Sequence, residues 1–382
     1  MNELILNTNN ISNKEIEVCV KGYIDTDTSE DFGKYITKIH EENSDKKLFI
    51  NFSKVTMITS SCIRWLMSFH KKGYNYELTN VSKEVFTVLK LTGLSGMLNI
   101  KQETFSINTE GCKLLGKGFH SEVYRIDDET IAKVYYDMND IDDVIRERMI
   151  AKQAFVKGVP TEISFGMCEA DGKPGLVYEL VDAKTLLSVL VEDQNNIDKY
   201  VKEYVELVKE THNYNNSNMD GIYDKKQDFI DQVEFNKPYI SNKCYEVLSK
   251  LKDDIPENDQ LLHGDPHPAN VMLTEKGMIF IDLSDMGFGD EKFDLMFLYR
   301  TLILFGMLPG KSAYALNKEG CIRLWNCFIK EYYKGKDQAY VDEQLRIIKL
   351  LGLNSIIYRF CLKDPESENA KFMINELEKT IG

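Results

Sequence analysis

Between residues 261 and 285 the chain reads "LLHGDPHPANVML…MIFIDLSD", and no other stretch so narrows what the chain can fold into. His263 and Asp265 stand in a polar loop, Asn270 follows the aspartate by five residues, and Asp282 comes twelve further on, after the apolar run "MIFI". The set stands between two apolar strand-like runs. Asp265 can accept the proton of an attacking hydroxyl, and Asn270 and Asp282 offer oxygen ligands to a hard cation such as Mg²⁺.

At 382 residues the chain has room for two or three cores. Residues 1–105 hold 13 Lys plus Arg against 13 Asp plus Glu, so the whole net charge of −14 falls on the remainder, which marks a boundary near residue 105. An acidic chain of this kind is a poor partner for nucleic acid. The N-terminus has no basic region followed by an apolar core, no apolar run approaches the length of a membrane span, and the 8 cysteines include no Cys-x-x-Cys pair. These features predict a cytoplasmic protein with reduced cysteines and no membrane contact.

In the first hundred residues, alternation in "EIEVCVKGYID" puts Ile16, Val18 and Val20 on one face of a strand. Thr28 with Asp31 three positions on reads as a capping box opening a helix over 29–42, with Phe32, Tyr35, Ile36 and Ile39 at helical spacing. "KKLFINF" predicts a buried strand, "SSCIRWLMSFHKKG" a helix closed by Gly73, "YNYELTNV" a strand, and "SKEVFTVLKLTG" a helix closed by Gly93. Strands alternating with helices imply a largely parallel βαβ sheet.

The phrases "GYIDTDTSEDF", "FINFSKVTMITSSCIRWL" and "NVSKEVFTVLKLTGL" resemble the STAS domain of anti-anti-sigma factors over residues 1–105. In that family the loop before the second helix reads Asp-Ser-Ser-Gly and its first serine accepts phosphate, so the resemblance makes Ser60 the candidate phosphoacceptor and a STAS-domain protein a candidate partner. Thr59 and Cys62 replace the Asp and the Gly. A serine at a helix start also serves as its N-cap, and with two of four positions changed the cap is the favoured reading of Ser60.

From Phe105 onward "GCKLLGKG" nearly fits a Walker A loop but ends in Gly118 where a Ser or Thr is required, and the following segment is strand-like. A Gly-rich hairpin fits better, with Gly116 and Gly118 at its turn and Ser121 in place of a third glycine, its backbone N–H groups open to phosphates. Lys133 stands in the apolar strand "TIAKVYY", where a charge needs a partner. Glu147, 14 residues on in a helix, is a candidate; Glu162 and Glu169 compete on spacing alone.

Together these residues resemble the aminoglycoside phosphotransferase and choline kinase-like family, a variant of the protein-kinase fold, over residues 106–382. The resemblance implies ATP and Mg²⁺ as cofactors. It makes Lys133 the phosphate-binding lysine, Glu147 its ion-pair partner, Asp265 the catalytic base, Asn270 and Asp282 the metal ligands, and Asp294 the brace of the catalytic loop. It also makes the backbone near Glu179 to Val181 the adenine contact. The expected fold is thus α/β and α+β: an N-terminal STAS-like βαβ sheet covered by helices, then a bilobal protein-kinase-like domain. The N-lobe runs over about 106–181 and a largely helical C-lobe over 182–382.

Asp294 follows Asp282 by only twelve positions, and "LSDMGFGDEKF" leaves no room for the peptide platform of a protein kinase. This favours phosphotransfer to a small hydroxylated substrate, and the acidic balance points toward a cationic one. Two alternatives are a signalling kinase that phosphorylates Ser60 or another STAS protein, and a nucleotide-binding sensor with little turnover.

Overall fold

The computed structural model describes residues 4–81, 85–86, 88–89, 94, 97–101, 105–118, 120–137, 140–217, 219–308 and 316–382. They form two compact units, one of residues 1–148 with 164–179, the other of 149–163 with 180–382.

The first unit contains two sheets. In the N-terminal one, β1 (Ile5–Ser12) runs antiparallel to β2 (Glu15–Ile24), which is followed in parallel by β3 (Lys47–Ile58), β4 (Tyr76–Thr79) and β5 (Ile100–Lys101). The alternation in β2 is realised, with Ile16, Val18 and Val20 buried, and Leu48, Ile50 and Phe52 continue that core in β3. Helix α1 (Ser29–Glu42) buries Phe32, Ile36 and Ile39, and α2 (Ser60–Lys71) buries Cys62, Leu66 and Phe69. The two helices approach closely at Gly33, where a Cβ would lie 2.0 Å from the Trp65 ring.

Three expectations change here. The edge strand β1 was not anticipated because its side chains are mostly exposed, which leaves no apolar period to read. The capping box at α1 is absent: Thr28 is itself in αR conformation, and its hydroxyl is taken by Tyr23 O and the Asp25 carboxylate, so Asp25 organises the turn instead. At α2 the N-cap is Thr59, extended at φ −112° and ψ 173°, and Ser60 is the exposed first helical residue rather than the cap. The Thr59 hydroxyl donates 3.2 Å to Ile24 O, which ties the helix start to the end of β2. Of the helix expected over "SKEVFTVLKLTG", Val85, Phe86, Val88 and Leu89 are helical, and the Gly93 stop lies outside the described residues.

The second sheet of this unit has the order β6-β10-β11-β9-β8-β7. Its strands are β6 (Phe105–Ile107), β7 (Lys113–Lys117), β8 (Ser121–Arg125), β9 (Thr130–Tyr135), β10 (Ser164–Ala170) and β11 (Lys173–Glu179). The chain leaving the N-terminal domain pairs directly, as β6, with β10. Phe165 of β10 packs against both cores of the unit, and its ring lies 5.7 Å from that of Phe86, edge to face. Helix α3 (Ile141–Lys157) connects β9 to β10.

The second unit is mainly helical, with α4 (Leu186–Glu192), α5 (Ile197–His212), α6 (Lys225–Asn236), α7 (Asn242–Asp254), α8 (Lys292–Tyr299), α9 (Lys318–Tyr332), α10 (Gln338–Lys363) and α11 (Glu368–Ile381). The middle of α10, from Ile347 to Ile357, is almost wholly buried, mostly by apolar side chains, and its buried Asn354 and Ser355 are hydrogen-bonded. Short strand pairs frame the loop at 263–270. β12 (Leu261–Leu262) enters it, β13 (Val271–Thr274) leaves it, and β14 (Gly277–Phe280) returns to Asp282. Among the described residues no helix is long and apolar enough to cross a membrane.

Candidate active site

In the first unit the strand period decides the neighbourhood of Lys133. Residues 131, 133 and 135 of β9 share a face, and antiparallel pairing sets Leu176 opposite Lys133 and Tyr178 opposite Ile131. Lys133 Nζ lies 2.9 Å from both carboxylate oxygens of Glu147, which is fully buried. The hydroxyl of Tyr178 donates 2.6 Å to Glu147 Oε1, and that of Tyr135 donates to Oε2. An isolated carboxylate at this depth would be costly, and three donors offset that cost while holding the lysine in one place. Of the three glutamates open on spacing, Glu147 is the partner. The two tyrosines were missed, although Tyr135 stands at i+2 from Lys133, a signal readable in the sequence.

The Gly-rich hairpin is present but built differently from expectation. Gly116 is a strand residue opposite Val123 next to a register shift, and only Gly118 is at the turn, its N–H donating 2.8 Å to Ser121 O. Neither glycine has a positive φ. A Cβ on Gly116 would meet nothing within 4 Å, and one on Gly118 would touch Ser121 O at 3.4 Å. Ser121 is buried at the start of β8. Glu179 ends β11, and Val181 O accepts the N–H of Ala183 at 2.9 Å.

In the second unit a single carboxylate organises the 263–265 loop. Asp294, at the start of α8, accepts the N–H of Gly264 at 2.7 Å on Oδ1 and the N–H of His263 at 3.0 Å on Oδ2. His212 of α5 adds its Nε2 to Oδ2 at 3.0 Å, and its Nδ1 meets the Tyr332 hydroxyl at 2.9 Å. Burial disfavours the charged form of Asp294, yet the hydrogen bond and charge of His212 with the Gly264 N–H hold its carboxyl below the usual range. Gly264 is required: its φ is 86°, and a Cβ would fall 1.8 Å from Asp285 O.

His263 is fully buried, and its Nδ1 accepts the N–H of Asp265 at 3.2 Å while Nε2 meets Ile281 O at 3.1 Å. A neutral ring serves both contacts, and burial lowers its pKa despite the nearby Asp294. The loop is pinned again by the Tyr204 hydroxyl on Pro266 O. Within this bonded frame, Oδ1 of Asp265 is buried and has no hydrogen-bond partner among the described residues, while Oδ2 lies 3.5 Å from His267 Nε2. Burial pushes the Asp265 carboxyl up, against the cations His267 and Arg300.

Asn270 donates its side-chain N–H to Asp265 O at 3.0 Å, so its amide oxygen is the atom of this side chain that could meet a cation. The N–H of Ile281 donates 2.9 Å to Asn270 O and so fixes Asp282 beside Asn270. Asp282 has a φ of 59°, rare for a residue with a side chain and a common mark of a functional site. Its Oδ1 accepts the Ser284 hydroxyl at 2.8 Å. Among the described residues no group of three His, Cys, Asp or Glu side chains converges. One carboxylate with one amide oxygen fits Mg²⁺, which completes its shell with phosphate oxygens and water.

Residues 111–315 match the model of the phosphotransferase enzyme family known as APH, and the chain belongs to that family. Residues 9–106 match the STAS domain, so the chain joins a STAS domain to an APH phosphotransferase fold. Among solved structures, the chain is similar to the GDP and kanamycin complex of APH(2")-IIia, at 14% identity and a TM-score of 0.49, over 70% of this chain and 92% of the other. It is also similar to a choline/ethanolamine kinase family protein from Mesorhizobium loti, at 13% identity and a TM-score of 0.48, over 71% of this chain and 87% of the other. Membership rests on the family model and not on these likenesses. No curated protein matches the chain in sequence.

Proposed function

We propose that the protein transfers the γ-phosphoryl group of ATP, with Mg²⁺, to the hydroxyl of a small molecule, and that its STAS domain regulates this activity or binds a partner. The observation that carries the reading is Asp265: backbone N–H groups of its loop are held by Asp294 and His263, yet its buried Oδ1 has no hydrogen-bond partner among the described residues. Such an oxygen suits the proton of an acceptor hydroxyl. As the acceptor oxygen bonds to the γ-phosphorus, its proton passes to Asp265 and the bond to the departing ADP breaks. Asn270 and Asp282 hold Mg²⁺, which when bound offsets the charge on the phosphates. Lys133, oriented by Glu147, takes the α- and β-phosphates, the backbone at Gly116, Gly118 and Ser121 covers the phosphates, and main-chain groups at Glu179 to Val181 take the adenine.

A small acceptor is favoured over a peptide by the short return from Asp282 to α8, which begins at Lys292. Ser60, exposed at the first turn of α2, remains the test of the signalling alternative. The full chain is incubated with Mg²⁺ and γ-labelled ATP, alone and with a panel of hydroxylated small molecules, beside Asp265→Asn and Ser60→Ala. Label on a small molecule that disappears in Asp265→Asn supports the reading. Label on the protein that disappears in Ser60→Ala overturns it.

A further inference from the structure

Strand β10 carries one residue more than the strand it faces. Its pairing with β11 sets Ser164 opposite Tyr178 and Gly166 opposite the next residue, Val177, so Phe165 is the extra one. Gly166 follows with a φ of 147°, a conformation that side chains rarely adopt, which lets the strand take the insertion. A bulge of this kind re-aims a side chain. Here the half-buried ring of Phe165 meets Phe86 of the STAS domain edge to face, with centroids 5.7 Å apart and planes at 71°. Phe86 is itself buried in the core of that domain, in one cluster with Val85 and Leu89.

Across the bulge stands the ion pair of the candidate active site. Tyr178, opposite Ser164, donates 2.6 Å to Oε1 of Glu147, and Glu147 holds Lys133 Nζ at 2.9 Å. Phe165 also packs on the cluster of Ala132, Val134, Cys168, Ala170 and Val177, in which Ala132 and Val134 are the residues on either side of Lys133. Contacts therefore run from Phe86 through Phe165 and Tyr178 to Glu147 and Lys133, and all five residues lie in the first compact unit. The chain leaving the STAS domain ties down the other end of the same strand. As β6 it sets Phe105 opposite Cys168, and the Thr109 N–H donates 3.2 Å to the Asp171 carboxylate just beyond β10.

We propose that the STAS domain positions the Lys133–Glu147 pair through the bulge at Phe165, so that a partner or modification that loosens the STAS core at Phe86 lowers the affinity of the chain for nucleotide. This rests on the phosphotransferase reading for the nucleotide, and it names the route by which the STAS domain regulates that site. A shift of β10 at the bulge carries Tyr178 with it. The buried carboxylate of Glu147 then loses a donor that fixes it, and the lysine loses its fixed place.

The full chain is compared with Phe86→Ala, Phe86→Leu, Tyr178→Phe and the double variant Phe86→Ala with Tyr178→Phe. Phe69→Leu is the control, since the Phe69 ring packs on Phe32, Trp65, Tyr74 and Tyr76 within the same STAS core. Circular dichroism confirms folding, and Phe86→Leu takes the place of Phe86→Ala if the larger truncation does not fold. Calorimetry with a non-hydrolysable ATP analogue and Mg²⁺ reads affinity without turnover, and amide hydrogen exchange over 130–135 and 173–179 reads β9 and β11 without nucleotide. Phe86→Ala should weaken analogue binding roughly threefold to thirtyfold. It should also speed exchange in β9 and β11 roughly tenfold while leaving α10 unchanged, and Phe69→Leu should move neither reading. In the Tyr178→Phe background the loss from Phe86→Ala should shrink, because the tyrosine no longer carries it. Native affinity and exchange in Phe86→Ala, equal effects from Phe69→Leu, or strictly additive losses in the double variant overturn the proposal. No binding of the analogue by the native chain counts against the phosphotransferase reading, and exchange in β9 and β11 then decides the coupling by itself.

Discussion

Replacing Asp294 by asparagine keeps the volume of the side chain and removes its charge and one acceptor oxygen. In the native chain all three groups aimed at the carboxylate donate or hold a ring nitrogen against it: Gly264 N–H at 2.7 Å, His263 N–H at 3.0 Å and His212 Nε2 at 3.0 Å. An amide can keep its oxygen toward one side only, so its NH₂ must confront a backbone N–H on the other. One charge-assisted hydrogen bond is lost, about 1.5–3 kcal/mol, and one buried N–H is left unmet, about 1–3 kcal/mol more. A loss of about 3 kcal/mol is therefore expected. With a urea slope of about 2 kcal/mol/M for a unit of this size, the midpoint falls by about 1.5 M. Trp325 lies in α9, 5.1 Å from the ring of Tyr299, so its fluorescence follows this unit once the other tryptophan, Trp65, is replaced by phenylalanine. A midpoint within about 0.3 M of the native value would refute the claim that Asp294 holds the 263–265 loop.

Gly264→Ala should be worse than its single methyl group suggests, since φ is 86° and the added carbon meets Asp285 O at 1.8 Å. A loss of about 3 kcal/mol or more, or failure to accumulate folded protein, is expected by the same urea titration. Glu147→Gln leaves the Lys133 ammonium, 12% exposed, without its counter-charge and sets an amide against two tyrosine hydroxyls. The KM for ATP should rise tenfold or more, whereas Tyr178→Phe should destabilise by only about 1 kcal/mol. For pH, burial lowers the folded-state pKa of His263, so the unfolded chain binds the proton more readily. Stability is then full above the ordinary histidine pKa of about 6.5 and declines as pH falls below it toward the folded value. The urea midpoint should drop between pH 7 and pH 5, and a slope unchanged in His263→Gln would count against this origin.

The sequence by itself determined the groups that chemistry can use and the strands that carry them. Hydrophobic period is local, so β2, β3, α1 and the frame around the 263–270 loop were legible. The polar set of Asp265, Asn270 and Asp282 could be read because its members stand close along the chain. Contacts between distant segments were not legible in that way. His212 reaches Asp294 across 82 positions, and Arg300 reaches Ser355 across 55. Neither pairing leaves a period or a spacing to detect, because folding alone brings α5 to α8 and the π-helical turn Arg300–Leu304 to α10. Helix starts also depended on tertiary context: Thr59 and not Ser60 takes the N-cap position of α2, and its hydroxyl donates to the carbonyl at the end of β2 rather than accepting from a helix N–H. Net charge, a sum over the whole chain, says nothing of where the individual charges stand. Burial selects which charges a ligand meets, and burial is decided only by the tertiary structure.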